Sequence, residues 1–123
     1  MTRTPKSDPG LKLRLVVAGG DWIGPGKADL LAGIAQTGSI SAAGKRMGMS
    51  YKRAWGLVDV LNGMFHEPLV SASRGGAGHG GAELTETGQR VLALYRTMQA
   101  KADTTLAAEI AELVGLSVIP ARK

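Results

Sequence analysis

Ser39 to Trp55, S-I-S-A-A-G-K-R-M-G-M-S-Y-K-R-A-W, reads as a helix, a tight turn and a second helix. The segment holds Lys45, Arg46, Lys52 and Arg53 and no acidic residue, a local charge of +4. A stretch this short lies across one groove of B-DNA, so the pattern points to a binder of duplex DNA. Ser39 or Ser41 caps the first helix, in which Ile40, Ala43 and Met47 face inward. The small Ala42 and Ala43 allow the close crossing that a helix-turn-helix needs. Gly48 makes the turn and Ser50 caps the second helix. There Ala54, Leu57, Val58, Leu61, Met64 and Phe65 form the inner stripe, leaving Tyr51, Lys52, Arg53 and Gly56 outside near the N-terminus. Pro68 marks its end.

Downstream, Leu69 to Ser73 reads as a short strand, residues 74–82 (R-G-G-A-G-H-G-G-A) as a glycine-rich tip, and Glu83 to Thr85 as the returning strand. This hairpin is the wing. Thr85 or Thr87 then opens a long helix, Glu86 to Val114, on which Val91, Tyr95, Met98, Ala102, Leu106, Ile110 and Leu113 recur at intervals of three or four. At 1.5 Å per residue it would run about 40 Å. One small winged domain cannot bury so long a stripe, which implies a second copy as partner.

Upstream, Leu11, Leu13, Leu15 and Val17 alternate with Lys12 and Arg14 as a half-buried strand requires, and Gly19 and Gly20 end it. Lys12 and Arg14 are ordinary outward charges of an edge strand. Asp21 to Gly26 reads as a loop. Lys27 to Gln36 follows as a helix burying Leu30, Leu31, Ile34 and Ala35, with Gly38 as C-cap. The expected organisation is a flexible arm (1–10), a winged helix-turn-helix domain (11–100), an overlapping dimerisation helix (86–114) and a tail (115–123). The fold class is mainly α with a small β wing.

The 123 residues suffice for one domain with a modest core. A formal charge of +5 and a pI near 9.9 favour a polyanionic partner. The charge is also sided: basic residues concentrate before position 54, whereas residues 103–121 carry Asp103, Glu109 and Glu112 and no cation. That distribution argues against a membrane surface as the partner. Without cysteine there is no disulfide, thiolate nucleophile or zinc finger, and the two separated histidines make neither a metal nor a catalytic site. No signal peptide or spanning run is legible, so a soluble cytoplasmic protein is expected.

Two nucleotide-binding motifs fail on inspection. Gly76, Gly78 and Gly81 satisfy G-x-G-x-x-G, but a parallel βαβ unit is missing. Gly26-Lys27 ends like a P-loop, yet Asp21 stands in place of its first glycine and Ala28 in place of the magnesium-binding Ser or Thr. The expectation is therefore no enzyme activity, no cofactor, no metal and no small-molecule site.

Roles on DNA follow from helix geometry. The N-terminal residues of a recognition helix reach base edges, which selects Ser50, Tyr51, Lys52 and Arg53, while Lys45 and Arg46 lie better for phosphates. Arg74 is either a wing contact or an ordinary loop cation. His79 is taken as a loop residue and His66 as a helix-end residue explained by the dipole. Trp55 stacks on DNA or packs inside, and a large aromatic one turn into a helix more often packs.

From Gly24 to about Ala100 the chain resembles the N-terminal winged-helix domain of the ModE family of molybdate-responsive regulators, a relative of the LysR-type DNA-binding domain. The runs that carry the resemblance are G-P-G-K-A-D-L-L (24–31), G-S-I-S-A-A (38–43), G-M-S-Y-K-R-A-W (48–55), P-L-V (68–70) and G-G-A-x-L-T-x-x-G (80–88). The resemblance implies a transcription factor that binds a palindromic operator as a homodimer, with the third helix in the major groove, the wing beside it, and the N-terminal strand and last long helix joining the protomers. By position it implies DNA contacts from Ser39, Ser50, Tyr51, Lys52 and Arg53. The family's wing carries a basic residue where this chain has Ala77, and many members have arginine at Ala72. Either Arg74 or His79 compensates, or the wing binds more weakly. Nothing after Ala102 resembles the family's molybdate-binding β-barrels, so the chain reads as the DNA-binding half alone. The competing function class is a protein-interaction module on a winged-helix fold that has lost operator specificity.

Overall fold

Gly38 ends the first helix in the left-handed region (φ 72°), its N–H donating to Ile34 O, and this cap turns the chain from α1 (Pro25–Thr37) into α2 (Ile40–Arg46). The computed structural model describes residues 8–73 and 81–118. Ahead of α1, a hairpin pairs β1 (Leu15–Val16) antiparallel with β2 (Trp22–Ile23). Behind α2 come α3 (Tyr51–Met64), the strands β3 (Val70–Ser73) and β4 (Gly81–Leu84), α4 (Glu86–Thr105) and α5 (Ala107–Leu116). The wing strands pair antiparallel, Val70 opposite Leu84 and Ser73 opposite Gly81. This is the expected winged helix-turn-helix, mainly α with a small β wing.

The core forms where α1, α2, α3 and the base of the wing meet. Leu30, Leu31 and Ile34 of α1, Ala43 of α2, Ala54 and Leu61 of α3, and Leu69 before β3 are completely buried. Ile40, Val58, Val70, Leu84 and Leu92 close it. From α4, Leu92 and Tyr95 join this core, with Gly88 buried and Val91 packed against it. Burial of the Tyr95 hydroxyl raises its pKa above that of an ordinary phenol, with the Asp29 carboxylate adding to the effect.

Several expectations are corrected. Ala35 is exposed, so the buried face of α1 is narrower than its spacing suggested. The returning wing strand begins at Gly81, two residues earlier than expected. Trp22 and Ile23, read as loop, are strand β2, and the predicted strand Leu11 to Val17 shrinks to Leu15–Val16. Leu11 and Leu13 lie on α4 instead. Gln99 Oε1 accepts from Leu13 N–H at 3.1 Å, Gln99 Nε2 donates to Leu11 O at 2.8 Å, and Tyr95 OH donates to Leu13 O at 2.8 Å. These side chains supply the polar partners that a neighbouring strand would have supplied.

The long final helix is also interrupted. Leu106 (φ −103°, ψ 14°) separates α4 from α5, although Leu106 N–H still donates to Ala102 O and Ile110 N–H to Leu106 O. The side-chain spacing therefore survives the break. α5 buries none of its residues, and Leu113, Leu116 and Val118 are 71, 79 and 86 % exposed.

Candidate nucleic-acid interface

Ser39 is the N-cap of α2 and Ser50 that of α3; their hydroxyl oxygens accept from the N–H of Ala42 and Arg53 respectively. Ser41 is not the cap. Between the helices, Gly48 takes φ +74°, a conformation L side chains resist, while Met49 N–H bonds back to Gly44 O at 3.0 Å. The close crossing of α2 and α3 is at Gly44, where a Cβ would stand 2.7 Å from Ala54 Cβ, and the expected small residue Ala43 packs closely against Gly33 of α1. Turn and crossing together fix how α3 stands on the core.

With Ala54, Val58 and Leu61 buried, the helical period turns Tyr51, Lys52, Arg53 and Gly56 outward, as the spacing predicted. Tyr51 is 65 % exposed. Ser50, Lys52 and Arg53 border one shallow open depression along α3, continued by Gly56, Leu57 and Val60. The first turn of α3 holds no acidic side chain. The result is a rigid cationic ridge with hydroxyl and guanidinium donors at its tip, matched in chemistry to base edges and phosphates.

Lys45 and Arg46 are exposed in the last turn of α2, and Arg46 Nη2 donates to Gln36 Oε1 at 3.1 Å, which orients it along α1. Trp55 is half-buried against the core, with its ring 6.1 Å from that of Tyr51 and tilted by 58°. Its indole N–H is buried without a hydrogen-bond partner. Trp55 thus packs against the core. In the wing, Ser71, Ala72, Ser73 and Glu83 are exposed. Arg74, Ala77 and His79 lie outside the described residues.

Sequence reasoning missed three features. Asn62 bonds the start of the wing. Gly88, at the start of α4, packs so closely that a Cβ would overlap the Leu69 carbonyl oxygen, and Thr85 N–H donates to that same oxygen at 2.9 Å. Arg14, read as an ordinary outward charge, lies 3.9 Å from the centroid of the Trp22 ring, with Lys27 Nζ 4.4 Å from it. Among the described residues no group of three or more His, Asp or Glu side chains could hold a metal ion, and no helix is long and apolar enough to cross a membrane.

The family model for the bacterial regulatory helix-turn-helix protein, lysR family, matches residues 27–89, more than half of the chain. The chain belongs to the lysR family. The matched region holds α2, α3 and the wing, and so every side chain of the cationic ridge; most of α4 and all of α5 lie beyond it. This lysR-type domain belongs to a family of regulatory proteins, not of enzymes.

The chain is also similar to curated relatives. It is 43 % identical over 81 residues to the molybdenum-pterin-binding protein MopB of Rhodobacter capsulatus, covering 66 % of this chain and 30 % of MopB. It is 45 % identical over 85 residues to the transcriptional regulator ModE of Yersinia pestis, covering 67 % of this chain and 32 % of that protein. To the DNA-binding transcriptional dual regulator ModE of Escherichia coli K12 it is 45 % identical over 71 residues, covering 58 % and 27 %. The matched part of the chain spans about a third of the length of these relatives.

Proposed function

We propose that this chain is the operator-binding part of a transcriptional regulator and binds a two-fold-symmetric duplex site as a homodimer. Its α3 enters the major groove with Ser50, Tyr51, Lys52 and Arg53 toward base edges. Ser39, Lys45 and Arg46 face the flanking phosphates, and the wing, with Arg74 beyond β3, lies alongside. The observation that carries the reading is the capped first turn of α3, exposed, doubly cationic and free of acid, on a helix anchored by Ala54, Val58 and Leu61. The lysR-family match and the likeness to the DNA-binding dual regulator ModE of Escherichia coli support it.

The second copy follows from the apolar side chains that one protomer leaves in water: Leu94 and Met98 on α4, Leu106, and Leu113 and Leu116 on α5. Two recognition helices related by a dyad read half-sites about one helical turn apart, roughly 34 to 36 Å.

Selection of bound sequences from random duplex tests the proposal. A recurring palindrome is expected, with affinity falling steeply between two salt concentrations. Recovery of no common sequence would replace this reading with that of a protein-interaction module. The name of MopB connects that relative with molybdenum, and we carry that connection over as the regulated metabolism; repeating the selection with and without molybdate tests it.

A further inference from the structure

Asn62 sits half-buried near the end of α3, directly after the buried Leu61. Its Oδ1 accepts from Leu69 N–H at 2.9 Å and from Val70 N–H at 3.0 Å, and its Nδ2 donates to Val70 O at 3.2 Å. One amide thus meets three main-chain groups seven and eight residues away. Leu69 and Val70 are 0 and 4 % exposed, so water is a poor substitute partner for them. Among the described residues, Asn62 is the one α3 side chain that hydrogen-bonds the wing.

Apolar packing of Leu69, Val70 and Leu84 in the common core aside, the remaining hydrogen bonds of the wing run elsewhere. Ala82 N–H of β4 donates to Gly38 O at 2.9 Å, at the junction of α1 and α2. Thr85 N–H donates to Leu69 O, and Thr85 Oγ1 donates to Pro68 O at 2.7 Å, joining the wing to the start of α4. Neither fastening involves α3. Because α3 is a rigid rod, its first turn and its Asn62 end, about 15 Å apart at 1.5 Å per residue, move together. Fixing β3 to that end fixes the wing relative to Tyr51, Lys52 and Arg53.

We propose that Asn62 is the positioning residue that sets the separation between recognition helix and wing, and thereby which bases flanking the half-site the wing covers. This rests on the reading of α3 and the wing as two DNA contacts. A complex that depends on two contacts at once loses the second when their spacing relaxes, while the first persists.

The test uses the full chain on a duplex that it has itself selected, with hydroxyl-radical footprints compared at equal occupancy. Arg53→Ala marks the positions protected by the helix, and Ser73→Glu, on the exposed β3, those protected by the wing. Asn62→Ala is expected to lose protection at the Ser73-dependent positions, keep it at the Arg53-dependent ones, and bind about three- to tenfold more weakly. Retained protection at the Ser73-dependent positions overturns the proposal, and so does an equal loss at both sets. If Asn62→Ala does not fold, Asn62→Asp carries the test. It keeps both acceptor bonds, sets a carboxylate oxygen against Val70 O in place of the donor, and is expected to weaken the same positions in part; an unchanged footprint or a uniform loss overturns the proposal. A Ser73→Glu footprint identical to that of the unaltered chain removes the wing contact and the role of Asn62 with it. No footprint from the unaltered chain refutes the DNA reading itself.

Discussion

Arg53 and Lys45 carry the same charge, but their positions suit them to different contacts in the proposed complex. Arg53 stands in the first turn of α3, where its own N–H is held by the Ser50 cap and its neighbour Ala54 is fully buried, so its guanidinium leaves a fixed backbone. A planar fork on such a base suits bidentate contact with guanine. Arg53→Ala is expected to cost about 1 to 3 kcal/mol on the selected site and to relax preference at one base pair. Unchanged sequence preference in a mobility-shift series would reject the assignment. Lys45, at the end of α2, is a point charge on a flexible stem. Lys45→Ala is expected to weaken all sequences alike and to flatten the salt dependence by about one ion, and equal salt slopes for variant and parent would count against a phosphate role. Both residues were legible in the sequence because charge and distance from a helix cap are local properties. Asn62 and Gly88 were not, since each is explained by Leu69, to which no spacing rule points.

Helices were more legible than strands. The caps Gly38, Ser39 and Ser50 and the stripe of α3 are written in residues three or four apart, the range over which a helix makes its own contacts. The N-terminal alternation around Leu11 to Val17 showed an extended segment but not its neighbour, because a strand's partner is set by tertiary structure. Part of that partner is a helix side chain, Gln99. Gln99→Ala should therefore speed hydrogen exchange at the Leu13 amide and lower stability by about 1 to 2 kcal/mol, the worth of two partly buried hydrogen bonds. Gln99→Glu, which keeps an acceptor for Leu13 N–H, should retain more protection there. Equal exchange at Leu13 in Gln99→Ala and the parent chain would show that the segment is held by something else. The interruption at Leu106 is not legible in the sequence for a related reason: an apolar repeat records residue spacing, and the bonds into and out of Leu106 preserve it.

At the scale of the molecule the two ends of the chain differ in chemistry. The helix-turn-helix concentrates cations, whereas residues 103–118 hold none and leave Leu113, Leu116 and Val118 in water. Such an apolar end is costly on an isolated protomer, and burial against the proposed second copy would relieve it. The double variant Leu113→Asp, Leu116→Asp is expected to sediment near the chain mass of 12.7 kDa while the parent sediments near twice that, with far-UV circular dichroism unchanged. It should also lose the advantage of a palindrome over a single half-site. A parent that is monomeric at binding concentrations would refute the role given to α5.

Residue order alone settled where α3 begins, which of its faces is cationic and which is buried, since period, cap and charge all lie within one contiguous run. It also showed the P-loop pattern failing at two named positions, Asp21 and Ala28. The folded chain was needed to show Gly44 against Ala54, Gly88 against the Leu69 carbonyl, Asn62 at the base of the wing, Arg14 over Trp22, and Gln99 and Tyr95 beneath Leu11 and Leu13. The physical reason is common to them all. Close packing and hydrogen-bond satisfaction are conditions on neighbours in space, and outside a helix or a tight turn those neighbours are unrelated to spacing along the chain.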